Sequence, residues 1–427
     1  MNRTEKFLRL KSLLLFPILL LTLHINAREY KFYFGKNTRQ GYQTVDNSII
    51  FGDKSKFGYD LNTVPKGNDP YFFSVNLPEG NYKVTVLLGN KDESTITTVR
   101  AESRRLMLEN IETTPGKFVS RSFIVNIRNT KIGDSDSVRI KKREIGKLDW
   151  DNKLTLEING KRPSLVEMVI EDVNVPTLFL AGNSTVVDQD EEPWCAWGQI
   201  LPRFLKPQIA VANYAESGEA ANTFIASKRL AKLLTKMQKG DYLFIEFGHN
   251  DQKQKGENIG PYTSFKKNLK YFIDETRKKG GIPVLVTPVN RRNFDETGRV
   301  INTLGDYPDA MKQLAKEENV MLIDLNGMSK ILYEAWGPDE SIHAFVHYPA
   351  GTFPHQDQPL ADNTHFNTYG AYEICKCVLK GILNSKLPLK KYVVEEAKSF
   401  DPCHPDSWKT FNIPPSPFYS IQKPDGN

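Results

Sequence analysis

Two patterns of hydrophobic and polar positions divide the chain near residue 175. Between residues 30 and 172, short runs place an apolar side chain at every second position, as in Tyr82, Val84, Val86 and Leu88. Because the side chains of a strand point alternately to its two faces, this period of two predicts strands with one buried face. We therefore predict an antiparallel β-sandwich domain over residues 28–174.

After Pro176, apolar runs of strand length alternate with amphipathic runs of helical spacing, such as residues 223–237 and 262–279. A repeated strand-then-helix order favours a parallel sheet with helices on both faces. We predict a flavodoxin-like three-layer α/β/α domain over residues 175–386. Its predicted strands cover residues 177–180, 208–212, 242–247, 283–287 and 321–325.

The first 27 residues have the pattern of a secretory signal peptide. Several basic residues precede an apolar run at residues 13–23, and Ala27 is a small residue at the expected cleavage site. Pro17 interrupts this short run, which favours a cleaved signal over a retained membrane span. We expect export to the periplasm or the cell exterior, without stable membrane insertion.

Residues 387–427 form a third segment, which is rich in proline and lysine and shows little periodicity. It carries aromatic side chains at Phe400, Trp408, Phe411 and Phe418. Because large aromatic side chains favour burial, we expect this C-terminal extension to pack on the fold.

The net charge and the cysteines narrow the function classes. The formal net charge of +6 is mild and becomes milder without residues 1–27, so it does not indicate a nucleic-acid-binding protein. Cys375 and Cys377 lie two apart on a predicted helix and face different directions, so we expect no bridge between them. We interpret Cys195 as a packed thiol, and other pairings stay open.

The candidate chemistry begins at Ser184, in the turn after the first predicted strand of the second domain. Asp362 and His365 lie three apart in DNTH, so one helical or turn-like step brings the carboxylate against the imidazole. Asp401 and His404 repeat that spacing in the proline-rich tail, whereas a helix-like stretch follows His365. We therefore favour Asp362 and His365 as the partners of Ser184.

Two further turns follow predicted strands of the same sheet. Asn250 ends the run FIEFGHNDQ, and Gly218 lies in NYAESGEAANTF. An amide donor and a backbone N–H that no Cβ shields suit the binding of an oxyanion at the carboxyl edge of the sheet. Each residue alone fits an ordinary turn or cap equally well.

Four blocks together resemble the SGNH hydrolases, or GDSL-type esterases, and among them the rhamnogalacturonan acetylesterases. The blocks read AGNSTV, NYAESG, FGHND and DNTHF, and the resemblance covers residues 176–383. It implies that Ser184 is the nucleophile, His365 the base and Asp362 its orienting acid. It also implies an oxyanion hole from the Ser184 and Gly218 backbone N–H groups and the Asn250 amide, with no cofactor and no metal.

Two features set the chain apart from neighbouring patterns. The first block of the family usually carries Asp before the serine, where this chain has Asn183. An α/β-hydrolase would instead show G-x-S-x-G and an acid far from its histidine, and this chain shows neither. The first domain resembles galactose-binding-like, carbohydrate-binding jelly-roll modules, which leaves open whether it binds glycan or supports the second domain.

The resemblance implies a serine carbohydrate esterase that removes O-acetyl groups from acetylated rhamnogalacturonan, the acidic polysaccharide of pectin, through an acetyl-enzyme on Ser184. Arg291 and Arg292 follow the predicted strand at 283–287 and suit the carboxylates of such a substrate. Trp197 and Tyr348 are candidates for sugar stacking.

Two other functions stay open. His343, His347 and His355 favour a zinc-dependent deacetylase, although they lack the H-E-x-x-H pattern. Asn183 and the sandwich domain would also fit a non-catalytic glycan-binding protein on a degenerate hydrolase scaffold. The sequence gives no indication of the oligomeric state.

Overall fold

The computed structural model describes residues 29–425, so the predicted signal peptide lies outside the described residues. Two five-stranded sheets form the first domain, in the orders β2-β1-β12-β5-β8 and β3-β4-β11-β6-β7, beside a small β9-β10 hairpin. The strands are β1 (Glu29–Phe34), β2 (Gln43–Val45), β3 (Phe57–Asp60), β4 (Tyr71–Asn76), β5 (Gly80–Gly89), β6 (Thr95–Ala101), β7 (Arg105–Thr113), β8 (Phe118–Ile127), β9 (Lys131–Ile132), β10 (Asp136–Ser137), β11 (Lys153–Lys161) and β12 (Leu165–Asp172).

The inner faces of the two sheets form one hydrophobic core. Phe32 and Val84 of the first sheet pack in the same cluster as Phe73 and Leu156 of the second. Along β5 the alternate residues Val84 and Val86 are fully buried, as the period of two predicted. The β-sandwich is therefore confirmed.

The second domain contains a parallel sheet in the order β14-β13-β15-β16-β17 and a short antiparallel pair, β18-β19. The strands are β13 (Thr177–Ala181), β14 (Ala210–Asn213), β15 (Tyr242–Ile245), β16 (Ile282–Val286), β17 (Met321–Ile323), β18 (Phe345–Tyr348) and β19 (Leu360–Phe366). The helices are α1 (Trp197–Ile200), α2 (Ala221–Ala226), α3 (Arg229–Lys236), α4 (Lys266–Lys278), α5 (Tyr307–Glu317), α6 (Leu325–Glu340) and α7 (Thr368–Asn384).

Both faces of the parallel sheet are buried. Leu178 and Leu180 of β13 pack in one core cluster with α1, α6 and α7. Phe179 and Ala181 point the other way and pack with α2 to α5. Strands covered on both sides read as continuous apolar runs, as these do. The flavodoxin-like three-layer architecture is confirmed.

The element boundaries differ from the prediction where single residues break the regular pattern. The predicted helix 223–237 is two helices, because Lys228 between α2 and α3 has a left-handed φ of 66°. The predicted strand 321–325 ends early, since the Asp324 side chain caps the start of α6 by accepting from the Gly327 N–H. Asp362 and His365 lie on β19 rather than on a helical step.

The C-terminal extension contacts both domains. Trp408 stacks on His343 with ring centroids 3.7 Å apart, and Phe418 packs on Phe72 of the sandwich at 5.3 Å. The backbone of Tyr419 then bridges to Glu192. The segment therefore crosses from the three-layer domain to the sandwich before it ends.

Buried charges hold the two domains together. Arg105 and Arg128 of the sandwich lie 3.2 and 3.8 Å from Asp188 of the second domain, and both lie 3.3 Å from Asp149 of the sandwich itself. Burial and the neighbouring Asp149 carboxyl raise the pKa of Asp188 to about 7. Because loss of one partner would leave a buried charge unpaired, the sandwich stabilises the loop that follows Ser184.

Within the described residues, the cysteines are free and no helix is a candidate membrane span. Cys195, Cys375 and Cys377 are buried free thiols, and Cys403 is an exposed one. Within residues 29–425, no helix has the length and apolar character needed to cross a membrane.

Candidate active site

A tight turn at the carboxyl end of β13 presents Ser184. The Asn183 carbonyl accepts hydrogen bonds from the Val186 and Val187 N–H groups, both at 3.0 Å, which closes the turn. Gly182 permits the close packing beneath it, because a Cβ there would lie 2.5 Å from Val186 Cγ2. Ser184 is 5% exposed, so it is largely shielded from solvent.

His365 and Asp362 meet Ser184 in a continuous line of hydrogen bonds. His365 Nε2 lies 2.9 Å from Ser184 Oγ, and His365 Nδ1 lies 2.9 Å from Asp362 Oδ2. The other carboxylate oxygen accepts from the Thr364 and His365 N–H groups at 2.7 and 2.9 Å. This Asx-type turn explains how residues three apart on a strand can face each other.

The electrostatics suit a hydrogen-bonded carboxylate. Burial raises the pKa of Asp362, but the hydrogen bond and charge of His365 and the backbone N–H groups outweigh it and hold this pKa well below its usual range. An ionised Asp362 keeps the proton of the imidazole on Nδ1. The Nε2 atom is then free to accept the Ser184 proton.

The turns after β14 and β15 are linked by hydrogen bonds to the turn that carries Ser184. Gln189 Nε2 donates to the Ser184 carbonyl at 3.1 Å and to Ser217 Oγ at 3.4 Å. Asn250 Nδ2 donates to the Glu219 carbonyl at 3.0 Å. Gly218, between them, has a left-handed φ of 79°. Hydrogen bonds thus join the Ser184 turn to the Gly218 turn through Gln189, and the Gly218 turn to Asn250 through the Glu219 carbonyl.

The comparisons with known proteins agree with this geometry. The GDSL-like Lipase/Acylhydrolase family matches residues 180–371. The rhamnogalacturonan acetylesterase RhgT of Bacillus subtilis (strain 168) is 46% identical over 219 residues, which cover 51% of this chain and 94% of RhgT. The chain belongs to the GDSL-type, or SGNH, esterases. It is therefore a carboxylic ester hydrolase.

Two other relatives from the same organism show how far the likeness extends. The probable rhamnogalacturonan acetylesterase YesY is 39% identical over 222 residues, which cover 51% of this chain and 98% of YesY. The uncharacterized esterase YxiM is 25% identical over 323 residues, which cover 73% of this chain and 78% of YxiM. The high identity is thus confined to about half of this esterase.

The prediction that Trp197 stacks on sugar is wrong. Trp197 is 0% exposed, and its indole Nε1 donates to Glu246 Oε2 at 2.5 Å. Thr185 Oγ1 donates to the other oxygen of Glu246 at 2.9 Å. Burial raises the pKa of Glu246 to about 7. Trp197 and Glu246 therefore support the nucleophile turn from behind and cannot reach a substrate.

Arg291 and Arg292 do not act as a pair in this esterase. Arg292 donates to Ser341 Oγ at 3.0 Å, to Asn363 Oδ1 at 3.2 Å and to the Pro338 carbonyl, so its guanidinium holds the loop beside Asp362. Its predicted role in substrate binding stays a prediction, since these contacts use three of its five N–H donors. Arg291 donates to Thr303 at 3.3 Å, and its role in substrate binding stays a prediction.

In the described residues, the histidines of the zinc alternative do not come together as a set of metal ligands. His343 stacks on Trp408, and His347 Nε2 lies 2.8 Å from Asn363 Oδ1. Across residues 29–425, no group of three or more His, Cys, Asp and Glu side chains is arranged to hold a metal ion. The histidines thus belong to separate places: His343 lies before β18, His347 lies on β18, and His355 lies between β18 and β19.

Sequence reasoning missed several residues that border the site. Lys423 Nζ lies 3.2 Å from Asp362 Oδ2, and Asp425 Oδ2 lies 2.6 Å from Arg143 NH1 of the sandwich domain. Trp194 packs edge-on against the His365 ring, with centroids 5.7 Å apart. No local motif indicates these contacts, because they depend on how distant segments cross the mouth of the site.

Proposed function

We propose that this esterase is a serine carbohydrate acetylesterase that removes O-acetyl groups from acetylated rhamnogalacturonan, through an acetyl-enzyme on Ser184. The observation that carries the proposal is the line of hydrogen bonds from Ser184 through His365 to Asp362, with 2.9 Å at each step. The likeness to the rhamnogalacturonan acetylesterase RhgT supports the substrate class.

The geometry assigns a role to each group of the proposed triad. His365 Nε2 accepts the proton as Ser184 Oγ attacks the acetyl carbonyl carbon, and ionised Asp362 stabilises the imidazolium that results. When the tetrahedral intermediate collapses, His365 returns the proton to the departing sugar hydroxyl. Water then repeats the sequence on the acetyl-enzyme and releases acetate and the free serine.

The negative charge of the tetrahedral intermediate needs preorganised donors. The Ser184 and Gly218 backbone N–H groups and the Asn250 amide supply them in this proposal. Asn250 is 7% exposed, and its contact with the Glu219 carbonyl fixes the plane of its amide group. One amide hydrogen remains for the substrate, since an Asn side chain has two.

The proposed cellular location follows from the first 27 residues. An exported enzyme would meet polysaccharide in the periplasm or outside the cell, which agrees with the proposed substrate. The basic residues, the short apolar run and Ala27 support this location.

Acetate release and covalent trapping test the proposed function. We expect the purified esterase to release acetate from acetylated rhamnogalacturonan faster than from acetylated xylan. Intact-mass spectra after rapid acid quench should show one acetyl group, which peptide mapping places on Ser184. Ser184→Ala should abolish both signals, while Ser227→Ala, on the α2–α3 connection, should retain them. An acetyl group on another residue would contradict the mechanism, and a preference for xylan would contradict the substrate.

A further inference from the structure

We propose that Lys141 and Arg143 of the sandwich domain form a carboxylate-binding subsite beside the acetyl group, and that Asp425 occupies this subsite in the free esterase. This inference rests on the proposed function of Ser184 and deepens it. The uronic acid carboxylate of the substrate would displace Asp425 and bind in its place.

The position of the two cations carries the first step. Lys141 Nζ donates to the Ser217 carbonyl at 2.5 Å, and Arg143 NH2 donates to the same carbonyl at 2.6 Å. A Cβ built on Gly218 would lie 3.1 Å from Lys141 Nζ. Both cations therefore lie beside the Ser217–Gly218 peptide, on its carbonyl side, although they belong to the other domain.

Asp425 occupies the proposed subsite. Asp425 Oδ2 lies 2.6 Å from Arg143 NH1, and its Cβ would lie 3.0 Å from a Cβ built on Gly218. The Asp425 carboxylate of the chain itself is thus bound next to Gly218, the residue proposed to contact the substrate. The subsite accepts this kind of anion in a geometry that a sugar carboxylate can copy.

The surrounding charges leave room for an anion. Glu216 and Glu219 lie close to the two cations, Glu216 with Arg143 and Glu219 with Lys141 at 3.3 Å. Burial and the neighbouring Glu144 carboxyl raise the pKa of Glu216. A raised pKa favours the protonated form of Glu216, which neutralises Arg143 less than a carboxylate would. Positive charge remains for Asp425 or for a substrate carboxylate.

The way the terminal segment is anchored makes displacement feasible. Glu192 donates its N–H to the Phe418 carbonyl at 2.8 Å and accepts from the Ser420 N–H at 2.7 Å. Beyond this anchor, the charged side chains are more open to solvent, with Lys423 48% and Asp425 60% exposed. Ion pairs this exposed contribute little to stability, so a polymer with several contacts can replace them.

The location of the subsite restricts the substrate. Because the cations lie beside Gly218, this proposal places the carboxylate that they bind near the acetyl group. The inference therefore favours an acetyl ester on a uronic acid, or on the sugar next to one, over an ester in a neutral stretch of polysaccharide.

Substrate selectivity tests the subsite. We compare kcat/KM for acetylated oligogalacturonate with kcat/KM for acetylated xylo-oligosaccharide. Arg143→Gln and Lys141→Gln should each lower the ratio of these values about tenfold, as for the loss of one charge-assisted contact. Lys142→Gln is the matched control, since Lys142 lies on the same turn but is exposed, and its ratio should stay within about twofold of the wild type.

The possible outcomes separate this inference from the proposed function. Equal losses on both substrates would show that the cations only support the Gly218 turn, and would overturn the subsite. If the wild type cleaves neither substrate, the subsite fails, and the proposed function fails as well if acetylated rhamnogalacturonan also releases no acetate. If it cleaves both with equal efficiency, the subsite alone fails.

Two measurements do not depend on the folding of the cation variants. In the wild type, free galacturonate should inhibit hydrolysis of a chromogenic acetate ester more strongly than galactose does. Asp425→Asn should raise the selectivity ratio up to about fivefold, because the substrate no longer competes with an internal carboxylate. Equal inhibition by the two sugars, or no rise in the ratio, would contradict the inference.

Discussion

The chain contains the same Asp-x-x-His pattern twice, and both copies form the same hydrogen bond. Nδ1 of His365 lies 2.9 Å from Asp362 Oδ2, and Nδ1 of His404 lies 3.0 Å from Asp401 Oδ2. Hydrogen bonds from the residues that follow also hold the pKa of both carboxyls below their usual range. Local sequence alone thus produces the acid–imidazole pair at either place.

The two pairs differ in their surroundings. The His365 side chain is 1% exposed and faces Ser184, while the His404 side chain is 84% exposed in the C-terminal extension. In water an ion pair is screened and its groups move freely, whereas a buried pair is held in one orientation. The comparison teaches that the fold, not the motif, supplies the nucleophile and the dry environment.

Removal of each imidazole should separate the two pairs most strongly. We expect His365→Ala to lower kcat on a chromogenic acetate ester by about 10⁴- to 10⁶-fold, because Ser184 loses its base. His404→Ala should stay within twofold of the wild type. Steady-state kinetics with active-site titration measures both. A folded His404→Ala variant without activity would show that the Asp401–His404 pair, and not the Asp362–His365 pair, carries out the chemistry.

Replacement of each carboxylate tests orientation rather than proton transfer. Asp362→Asn should lower kcat by about 10⁴-fold, because an amide can favour the wrong tautomer of His365. Asp401→Asn should leave kcat unchanged and serves as the control. Thermal unfolding should show both variants folded. Full activity of Asp362→Asn would mean that His365 needs no charged partner.

Only the buried Asp362–His365 pair is accompanied by proposed oxyanion donors, of which Asn250 is one. Asn250→Ala should lower kcat by about 10²- to 10³-fold with a smaller change in KM, because its amide acts on charge that develops in the transition state. Asn222→Ala, an exposed control at the start of α2, should retain kcat. A rise in KM with unchanged kcat would show that Asn250 binds the ground state instead.

The buried part of this comparison could be predicted from the sequence as far as each feature was local. The turns at Ser184, Gly218 and Asn250 follow apolar strands, and the rule that parallel strands end at one edge brought them together. The structure joins them by the hydrogen bonds of Gln189 and Asn250. The period of two likewise revealed the sandwich.

Features that depend on distant contacts could not be predicted. Nothing near Trp197 in sequence shows that its indole faces a buried Glu246, and nothing near Arg292 shows that its guanidinium contacts Ser341. Asp188 pairs with Arg105 of the other domain. Such contacts depend on domain packing, which periodicity does not report, so the sequence alone overestimated the residues available to substrate.

The burial of Glu246 behind the nucleophile turn also predicts that the stability of the fold depends on pH. Folding raises the pKa of Glu246 to about 7, whereas an unfolded Glu titrates near about 4.3. Between these values the folded state binds a proton that the unfolded state has lost, so the free energy of unfolding falls as pH rises.

Glu246→Gln should flatten this dependence, because glutamine imitates the protonated acid and does not titrate. We expect the stability difference between pH 5 and pH 7 to shrink by at least about 1 kcal/mol. Thermal or chemical unfolding at the two pH values measures it. The exposed Glu257→Gln should leave the dependence as it is, and an unchanged slope in Glu246→Gln would show that Glu246 is already ionised when buried.

The smallest effect is expected at Asn183, the residue that departs from the family pattern beneath the buried pair. Asn183 is 0% exposed, and its Oδ1 accepts from the Thr185 N–H at 3.0 Å and lies 3.0 Å from the Thr185 hydroxyl that donates to Glu246. Among the described residues its Nδ2 has no hydrogen-bond partner. Asn183→Asp keeps the two contacts and exchanges an unpartnered amide for a carboxylate oxygen, so kcat should change less than about tenfold. Asn183→Ala, which loses both contacts, should lower Tm instead. A larger gain in kcat for Asn183→Asp would mean that a negative charge under Ser184 assists the chemistry and that Asn183 limits this esterase.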